Sequence, residues 1–168
     1  MAIVFLGRER LQSTETKHLK NHQLNLIRTN KKLKFYSIFK NETNHSEFIN
    51  HIRNPKHRRV AYKFMIGNQN LKIETGRFTI PKTPEDLRIC DHCNQNSVEN
   101  ELHILFRSDQ YNDVRKTLCI KINDRNTFFT NYNIHDKVCF LFNNTDSHIS
   151  RLAVNFIFQA SERRKKHS

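Results

Sequence analysis

The sequence predicts a mostly α-helical domain, with a short irregular or extended segment that leads into a Cys-x-x-Cys turn. The 168 residues include only 3 Gly and 3 Pro, the residues that most often interrupt helices. A turn-dense β sandwich or barrel would need more of them. Apolar residues also recur at helical spacing in the C-terminal third. The 13 Phe argue against a fully disordered chain, although the hydrophobic fraction is only 36%.

In the first half, residues 8–28 are polar and basic with poorly spaced leucines, which predicts a surface helix or a loose arm. Pro55 fits the first turn of a helix over 55–66, because proline needs no hydrogen-bond donor there. Gly67 gives that helix a usual C-terminal signal. Residues 71–78 alternate weakly between apolar and polar, and we expect an extended segment.

In the second half, residues 98–121 show helical spacing with a break near Ser108 and Asp109. Residues 149–162 form the clearest predicted helix, and we expect it to pack on residues 98–107. Its apolar stripe consists of Ile149, Leu152, Ala153, Phe156, Ile157 and Ala160. Basic residues 163–166 follow at its C-terminal end, where the helix dipole favours positive charge.

The formal net charge of +13 predicts a polyanionic partner, either nucleic acid or an acidic membrane surface. Residues 1–89 carry 18 Lys and Arg against 7 Asp and Glu, whereas residues 90–162 carry 7 against 9. No apolar run approaches the length of a membrane span. We expect the partner to be nucleic acid, RNA or DNA, bound with low sequence specificity, and we expect no membrane partner. The candidate phosphate-binding residues are Lys31, Lys32, Lys34, Lys56, Arg58, Arg59, Lys63 and Arg77. The alternative for these residues is a solvated basic surface.

Two aromatic residues between lysines, Phe35 and Tyr36, could stack on unpaired bases or belong to the core. The basic stretch 163–166 could instead serve as a nuclear-import patch. No secretory signal is evident, so we expect an intracellular protein, nuclear or cytoplasmic and not secreted. The 4 cysteines are then expected to be reduced, which favours metal binding or burial over disulfides.

The most specific chemical motif is Cys90-Asp91-His92-Cys93, followed by His103. Two thiolates and a histidine on the following helix are a common zinc ligand set. The fourth ligand should lie about one helical turn beyond His103, where Ser108 stands. Serine is a poor zinc ligand, so zinc binding is expected to be weakened. Asp109 is adjacent, so its carboxylate or a water could fill the fourth position, and Cys139 could reach it only if the chain folds back. Cys119 would lie out of reach, about 24 Å away, on a continuous helix.

The order of these motifs resembles the C-terminal zinc-binding region of reverse transcriptases from non-LTR (LINE-like) retrotransposons. The resemblance covers residues 33–162. The segments that carry it are Ile73-Glu74-Thr75-Gly76-Arg77, Arg88 to Cys93, Val98 to Phe106 and Tyr111 to Arg115. It implies one zinc site made of Cys90, Cys93, His103 and a cysteine five residues later, where this chain has Ser108.

The chain also departs from the family at Met65, where arginine is usual, and at Gln69, where histidine is usual. The resemblance therefore implies a truncated, degenerate copy. It divides the chain into a basic N-terminal arm or helix (1–32), a helical domain (33–162) with a zinc-knuckle-like turn at 88–108, and a basic tail (163–168).

Catalysis is not expected from this sequence. Polymerase chemistry needs paired carboxylates that hold two metal ions, and no Asp-Asp pair occurs. No small-molecule substrate is evident. The leading interpretation is a non-catalytic nucleic-acid-binding remnant of a retrotransposon reverse transcriptase. A structural or protein-interaction domain without metal or nucleic acid is the alternative. A zinc hydrolase, with Glu99 or Glu101 as general base, is a third.

Overall fold

The fold is built from α-helices, as the sequence predicts. The computed structural model describes residues 2–42 and 47–166, with side chains from residue 16 onward. The α-helices of these residues are α1 (Ala2–Thr29), α2 (Tyr36–Phe39), α3 (Glu47–Asn50), α4 (Pro55–Met65), α5 (Lys72–Thr75), α6 (Glu101–Phe106), α7 (Asn112–Asn123), α8 (Ile134–Asn143) and α9 (Ser147–Lys165). Short 3-10 turns occur at Lys31–Leu33, Glu85–Leu87, Asp109–Tyr111 and Phe129–Asn131. None of these described helices is long and apolar enough to cross a membrane.

The C-terminal helix α9 lies at the centre of the domain. The helix predicted over 149–162 is confirmed, and the basic residues Arg163 to Lys165 form its last turn. Its main packing partners are α4 and α7, rather than residues 98–107 as expected. The reason is length: α6 has only 6 residues, whereas α4 and α7 have 11 and 12 and bury an apolar side along α9. The last two residues of the basic tail lie outside the described residues.

A cluster of phenylalanine rings forms the other half of the core, between α2, α4 and α8. Phe35 contacts the rings of Phe39, Phe64 and Phe142, with centroids 5.5–5.6 Å apart. Only 4% of Phe35 is exposed. The base-stacking role considered for Phe35 is therefore wrong, and its core alternative is confirmed. Tyr36 is half-buried with its ring edge-on to Phe39 at 5.3 Å.

Helix α4 begins and ends as its sequence predicts. Asn54 is the N-cap, and its side chain accepts a hydrogen bond from the backbone N–H of Lys56 at 2.9 Å. Gly67 follows the helix with a φ of +63°. A Cβ at Gly67 would lie 2.6 Å from the carbonyl oxygen of Lys32, so glycine is required for both its backbone conformation and this close approach.

The extended segment expected over 71–78 is wrong, because one turn of helix, α5, forms there. The backbone N–H of Lys72 donates to the Glu99 carboxylate at 2.7 Å, and that of Ile73 donates to the Glu99 carbonyl at 3.0 Å. A distant residue thus satisfies the first donors of α5, which no local sequence pattern could indicate. The break expected near Ser108 is found between α6 and α7.

Candidate metal centre and basic groove

A small hairpin presents the two cysteines of the Cys-x-x-Cys motif. Ile89 and Val98 form an antiparallel bridge, and the backbone N–H of Cys90 donates to the Ser97 carbonyl at 3.0 Å. Asn96 has a φ of +47°, a left-handed conformation that asparagine tolerates, and it turns the chain back. The hairpin therefore holds both thiols at one end, next to the start of α6.

The third member of the cluster comes from α6. The N-cap Asn100 accepts a hydrogen bond from the backbone N–H of His103 at 2.9 Å, which fixes the first turn of the helix. The Sγ atom of Cys93 lies 3.2 Å from Nε2 of His103. The ligand atoms of Cys90, Cys93 and His103 all lie within 4.8 Å of one another. The expected convergence of these three residues is confirmed, and they form a cluster that could hold a metal ion.

The surroundings of the cluster act in opposite directions on its two kinds of ligand: they disfavour the thiolate form of Cys90 and favour the neutral imidazole of His103. Burial raises the pKa of the Cys90 thiol to about 12, an effect that the backbone N–H of His92 opposes by donating to Sγ at 3.4 Å. Burial also lowers the pKa of His103, which favours the neutral imidazole that binds metals. A tetrahedral zinc ion would hold its ligand atoms about 3.5–3.8 Å apart. In this structure the ligand atoms of Cys93 and His103 are 3.2 Å apart and no pair is more than 4.8 Å apart, so a small adjustment would be enough. The three side chains therefore fit a metal ion.

The fourth position is taken by no cysteine. Ser108 is fully buried, its backbone N–H donates to the His103 carbonyl at 2.8 Å, and its Oγ has no hydrogen-bond partner among the described residues. Buried hydroxyls normally have a partner, so this orphan oxygen fits a position beside an ion or a metal-bound water. Neither Cys119 nor Cys139 belongs to the cluster, and Asp109 accepts a hydrogen bond from Gln95 at 2.9 Å instead.

A buried ion pair connects the metal cluster to α9. Glu99 is fully buried, and its carboxylate forms an ion pair with Arg164 that includes a 3.0 Å contact from the guanidinium Nη2. The Cys90 thiol donates to the same carboxylate at 3.6 Å. Glu99 was one of two candidate general bases, and the structure places it in this ion pair. No sequence pattern indicates that residue 164 reaches residue 99, because the two are 65 residues apart.

A basic groove runs between α4 and the end of α9 and encloses about 710 Å³. Its α4 wall carries Lys56, Arg59 and Lys63, which share one helix face by their spacing. The α9 wall carries Lys165 and Glu162, together with the ion-paired Arg164. The pKa of Glu162 is lowered, first by a hydrogen bond from Lys165 and also by the charge of Lys56 across the groove.

The other predicted phosphate-binding residues lie elsewhere. Lys31, Lys32, Lys34 and Arg77 line a separate cavity of about 340 Å³. Lys34 forms an ion pair with Glu85 at 2.9 Å, and Arg77 forms one with Glu74 at 3.2 Å. Glu101, the second candidate general base, lines this cavity as well, and burial raises its pKa to about 7.

Arg58 lines neither cavity. Its guanidinium donates twice to the Ile52 carbonyl, at 3.0 and 2.7 Å. The eight cations predicted as one surface are therefore divided: three in the groove, four in the second cavity and one in a local backbone contact.

Sequence reasoning missed Phe158 of α9, which also lines the groove. Its signal was present, because residues 158, 161, 162 and 165 recur at helical spacing.

Comparison with known proteins gives no match to a protein-family model, to a curated protein or to a solved structure.

Proposed function

We propose that this chain is a non-catalytic nucleic-acid-binding module whose hairpin and α6 are held together by zinc. The observation that carries the proposal is the convergence of Lys56, Arg59 and Lys63 with the basic end of α9 on one groove. None of these three α4 cations takes part in an ion pair within the described part of the chain. Positive charge collected in a groove is the usual electrostatic basis of binding to phosphate backbones.

Zinc is the metal that the donor set favours. Two thiolates and one imidazole are soft to borderline ligands, which select zinc over magnesium or calcium. Cys90, Cys93 and His103 would hold the ion, and with Ser108 nearby the fourth ligand would be a water or the serine hydroxyl. When bound, zinc would fix the hairpin against α6. The role is structural, and no catalytic step is assigned to it.

We further propose that the chain derives from the C-terminal zinc-binding region of a non-LTR retrotransposon reverse transcriptase. The support is the order of motifs in the sequence, together with the Cys-x-x-Cys hairpin that precedes a helix bearing His103. Serine at position 108, in place of the family's cysteine, is consistent with a degenerate copy.

The binding test uses two matched double variants. Lys56→Ala with Arg59→Ala removes two charges from the groove, and Lys116→Ala with Lys121→Ala removes two exposed charges from α7, outside it. Fluorescence anisotropy with labelled RNA and DNA is measured over a series of salt concentrations. The groove variant should weaken binding to all sequences alike and flatten the salt dependence by a slope of about 1.4–1.8. Lack of binding by the native protein at low salt, or equal effects of both variants, would refute the proposal.

One feature favours the alternative of a protein-interaction domain. Phe78, Ile80 and Leu87 lie in or beside one loop and are exposed by 79%, 100% and 62%. Exposed apolar side chains grouped in this way are typical of protein contact sites. Under this alternative the protein would bind no nucleic acid at low salt, and Ile80→Asp would abolish binding to a protein partner without affecting the fold.

A further inference from the structure

The groove between α4 and α9 combines cations with side-chain amides and an aromatic ring, and a simple phosphate site needs only the cations. Cations line both walls, and the lining also includes Asn68, Gln69 and Asn70 and the ring of Phe158. Grooves that bind single-stranded nucleic acid combine cations along the backbone with aromatic rings on which bases stack. Duplex-binding surfaces require phosphate contacts but no stacking platform.

Phe158 is held in place by a neighbouring ring. The imidazole of His57 lies parallel to it, with centroids 4.0 Å apart and planes inclined by 25°. The two rings come from α4 and α9, the helices that form the walls of the groove, and Phe158 is part of the groove lining. An aromatic ring that is supported on one side loses little conformational freedom when a base packs against it.

The size of the groove also favours a single strand. A volume of about 710 Å³ falls within the range of pockets that enclose small ligands, about 300–1,000 Å³. It accommodates a few nucleotides of one strand between two helices. A duplex presents its phosphates on the outside of a wide cylinder and could contact only the rim of such a recess.

We propose that this groove binds a short single-stranded segment of nucleic acid, with its phosphates on Lys56, Arg59 and Lys63 and one base stacked on Phe158. This inference rests on the proposed function. It adds that the ligand is single-stranded and that Phe158 is the residue on which a base stacks. The Asn68 and Asn70 side chains in the lining can contact base edges, although stacking itself tolerates every base.

The test compares three probes with the native protein: a short oligothymidylate, the duplex it forms with its complement, and inorganic polyphosphate. Affinities are measured by competition at one fixed salt concentration. The single strand should bind more tightly than the duplex, and more tightly than polyphosphate, which carries charge without bases. Equal or tighter binding of the duplex overturns the inference, and so does equal binding of polyphosphate.

The stacking residue is tested with Phe158→Leu, and Phe128→Leu is the control because Phe128 is 67% exposed and does not line the groove. Phe158→Leu should weaken the single strand by about 5-fold to 100-fold while leaving polyphosphate binding and the salt slope unchanged. Phe158→Tyr keeps the ring and should retain binding. An oligonucleotide containing 2-aminopurine gives an independent measurement, because its fluorescence should be quenched on binding to the native protein.

The failures of the two proposals are distinguishable. If no probe binds, the nucleic-acid function itself is wrong. If oligothymidylate binds through the groove cations but Phe158→Leu changes nothing and 2-aminopurine is not quenched, the proposed function remains and the stacking inference is wrong. If Phe158→Leu fails to fold, the quenching experiment decides: no quenching overturns the stacking inference.

Discussion

Arg164 and Glu99 form an ion pair that joins the last turn of α9 to the residue next to the bridge of the Cys-x-x-Cys hairpin. Glu99 is fully buried, and the Arg164 side chain is 14% exposed. Arg164 also donates to the Asn70 carbonyl at 2.8 Å. The metal cluster and the groove are therefore parts of one connected region, because the same arginine lines the groove and pairs with the carboxylate beside Cys90.

Removing Arg164 should destabilise the fold strongly. Arg164→Met would leave the Glu99 carboxylate buried without its counter-charge, which typically costs about 3–5 kcal/mol. We expect the free energy of unfolding, measured by urea denaturation, to fall by that amount.

The control for Arg164 is Arg125→Ala. Arg125 forms an exposed ion pair with Asp146 at 3.4 Å, and such pairs contribute about 0–1 kcal/mol. A similar, small loss in both variants would contradict the interpretation that the buried pair holds α9 to the hairpin. The variant Glu99→Gln with Arg164→Met should recover part of the loss, because it removes the uncompensated charge.

The sequence predicts those parts of the molecule whose determinants are local. The apolar stripe of α9, the proline in the first turn of α4, and the spacing of Cys90, Cys93 and His103 are all local patterns, and the structure follows them. Helix α5 is different, because its first N–H groups are satisfied by Glu99, 27 residues further along the chain.

The positions of the basic residues were also only partly predictable, because the fold decides which groups lie next to each cation. Charge runs identify cations but not their neighbours. Lys56 and Arg58 are two residues apart, yet one lines the groove and the other donates to the Ile52 carbonyl. Which cation is available for a phosphate depends on the acidic groups and carbonyls that the fold brings next to it.

Loss of either cysteine should remove the metal. In Cys90→Ser or Cys93→Ser, zinc content measured on protein purified under reducing conditions should fall to background, since a single thiolate and a histidine hold zinc poorly. Cys119→Ser and Cys139→Ser are matched controls, because these thiols lie outside the cluster, and they should leave zinc content unchanged.

The fourth position is tested by Ser108→Cys. An added thiolate should raise zinc affinity by about tenfold or more, since even outer-shell partners change affinity by about 10–100-fold. The measurement is competition with a chromophoric chelator. Unchanged affinity in a folded Ser108→Cys protein would mean that residue 108 does not belong to the ligand sphere.

Substituting the neighbouring residues Arg58 and Arg59 should show that one contributes to stability and the other to nucleic-acid binding. Arg58→Ala removes two hydrogen bonds to the Ile52 carbonyl and should lower the free energy of unfolding by about 1–2 kcal/mol, with nucleic-acid affinity unchanged. Arg59→Ala removes a groove cation and should weaken binding while leaving stability nearly unchanged. Thermal denaturation and anisotropy titrations on both variants measure the two effects. The reverse pattern would place the phosphate contacts on the Arg58 side of α4.

The ion pair between Arg163 and Asp113 should make the packing of α9 on α7 sensitive to acid. The guanidinium contacts both carboxylate oxygens, at 2.7 and 2.8 Å. The hydrogen bonds from Arg163 hold the pKa of Asp113 well below its usual value of 3.8. The pKa of Asp113 is lower in the folded state than in the unfolded state, so the ion pair stabilises the fold above the unfolded-state pKa. This stabilisation is lost as the pH falls from the unfolded-state pKa towards the folded-state pKa.

Asp113→Asn should therefore be less stable than the native protein at neutral pH, and the difference should shrink as the pH falls below about 4. Urea denaturation at a series of pH values measures this difference, with Asp124→Asn, outside the ion pairs of the described residues, as the control. A difference that stays constant down to the lowest pH would show that Asp113 stabilises α7 by a route other than its charge.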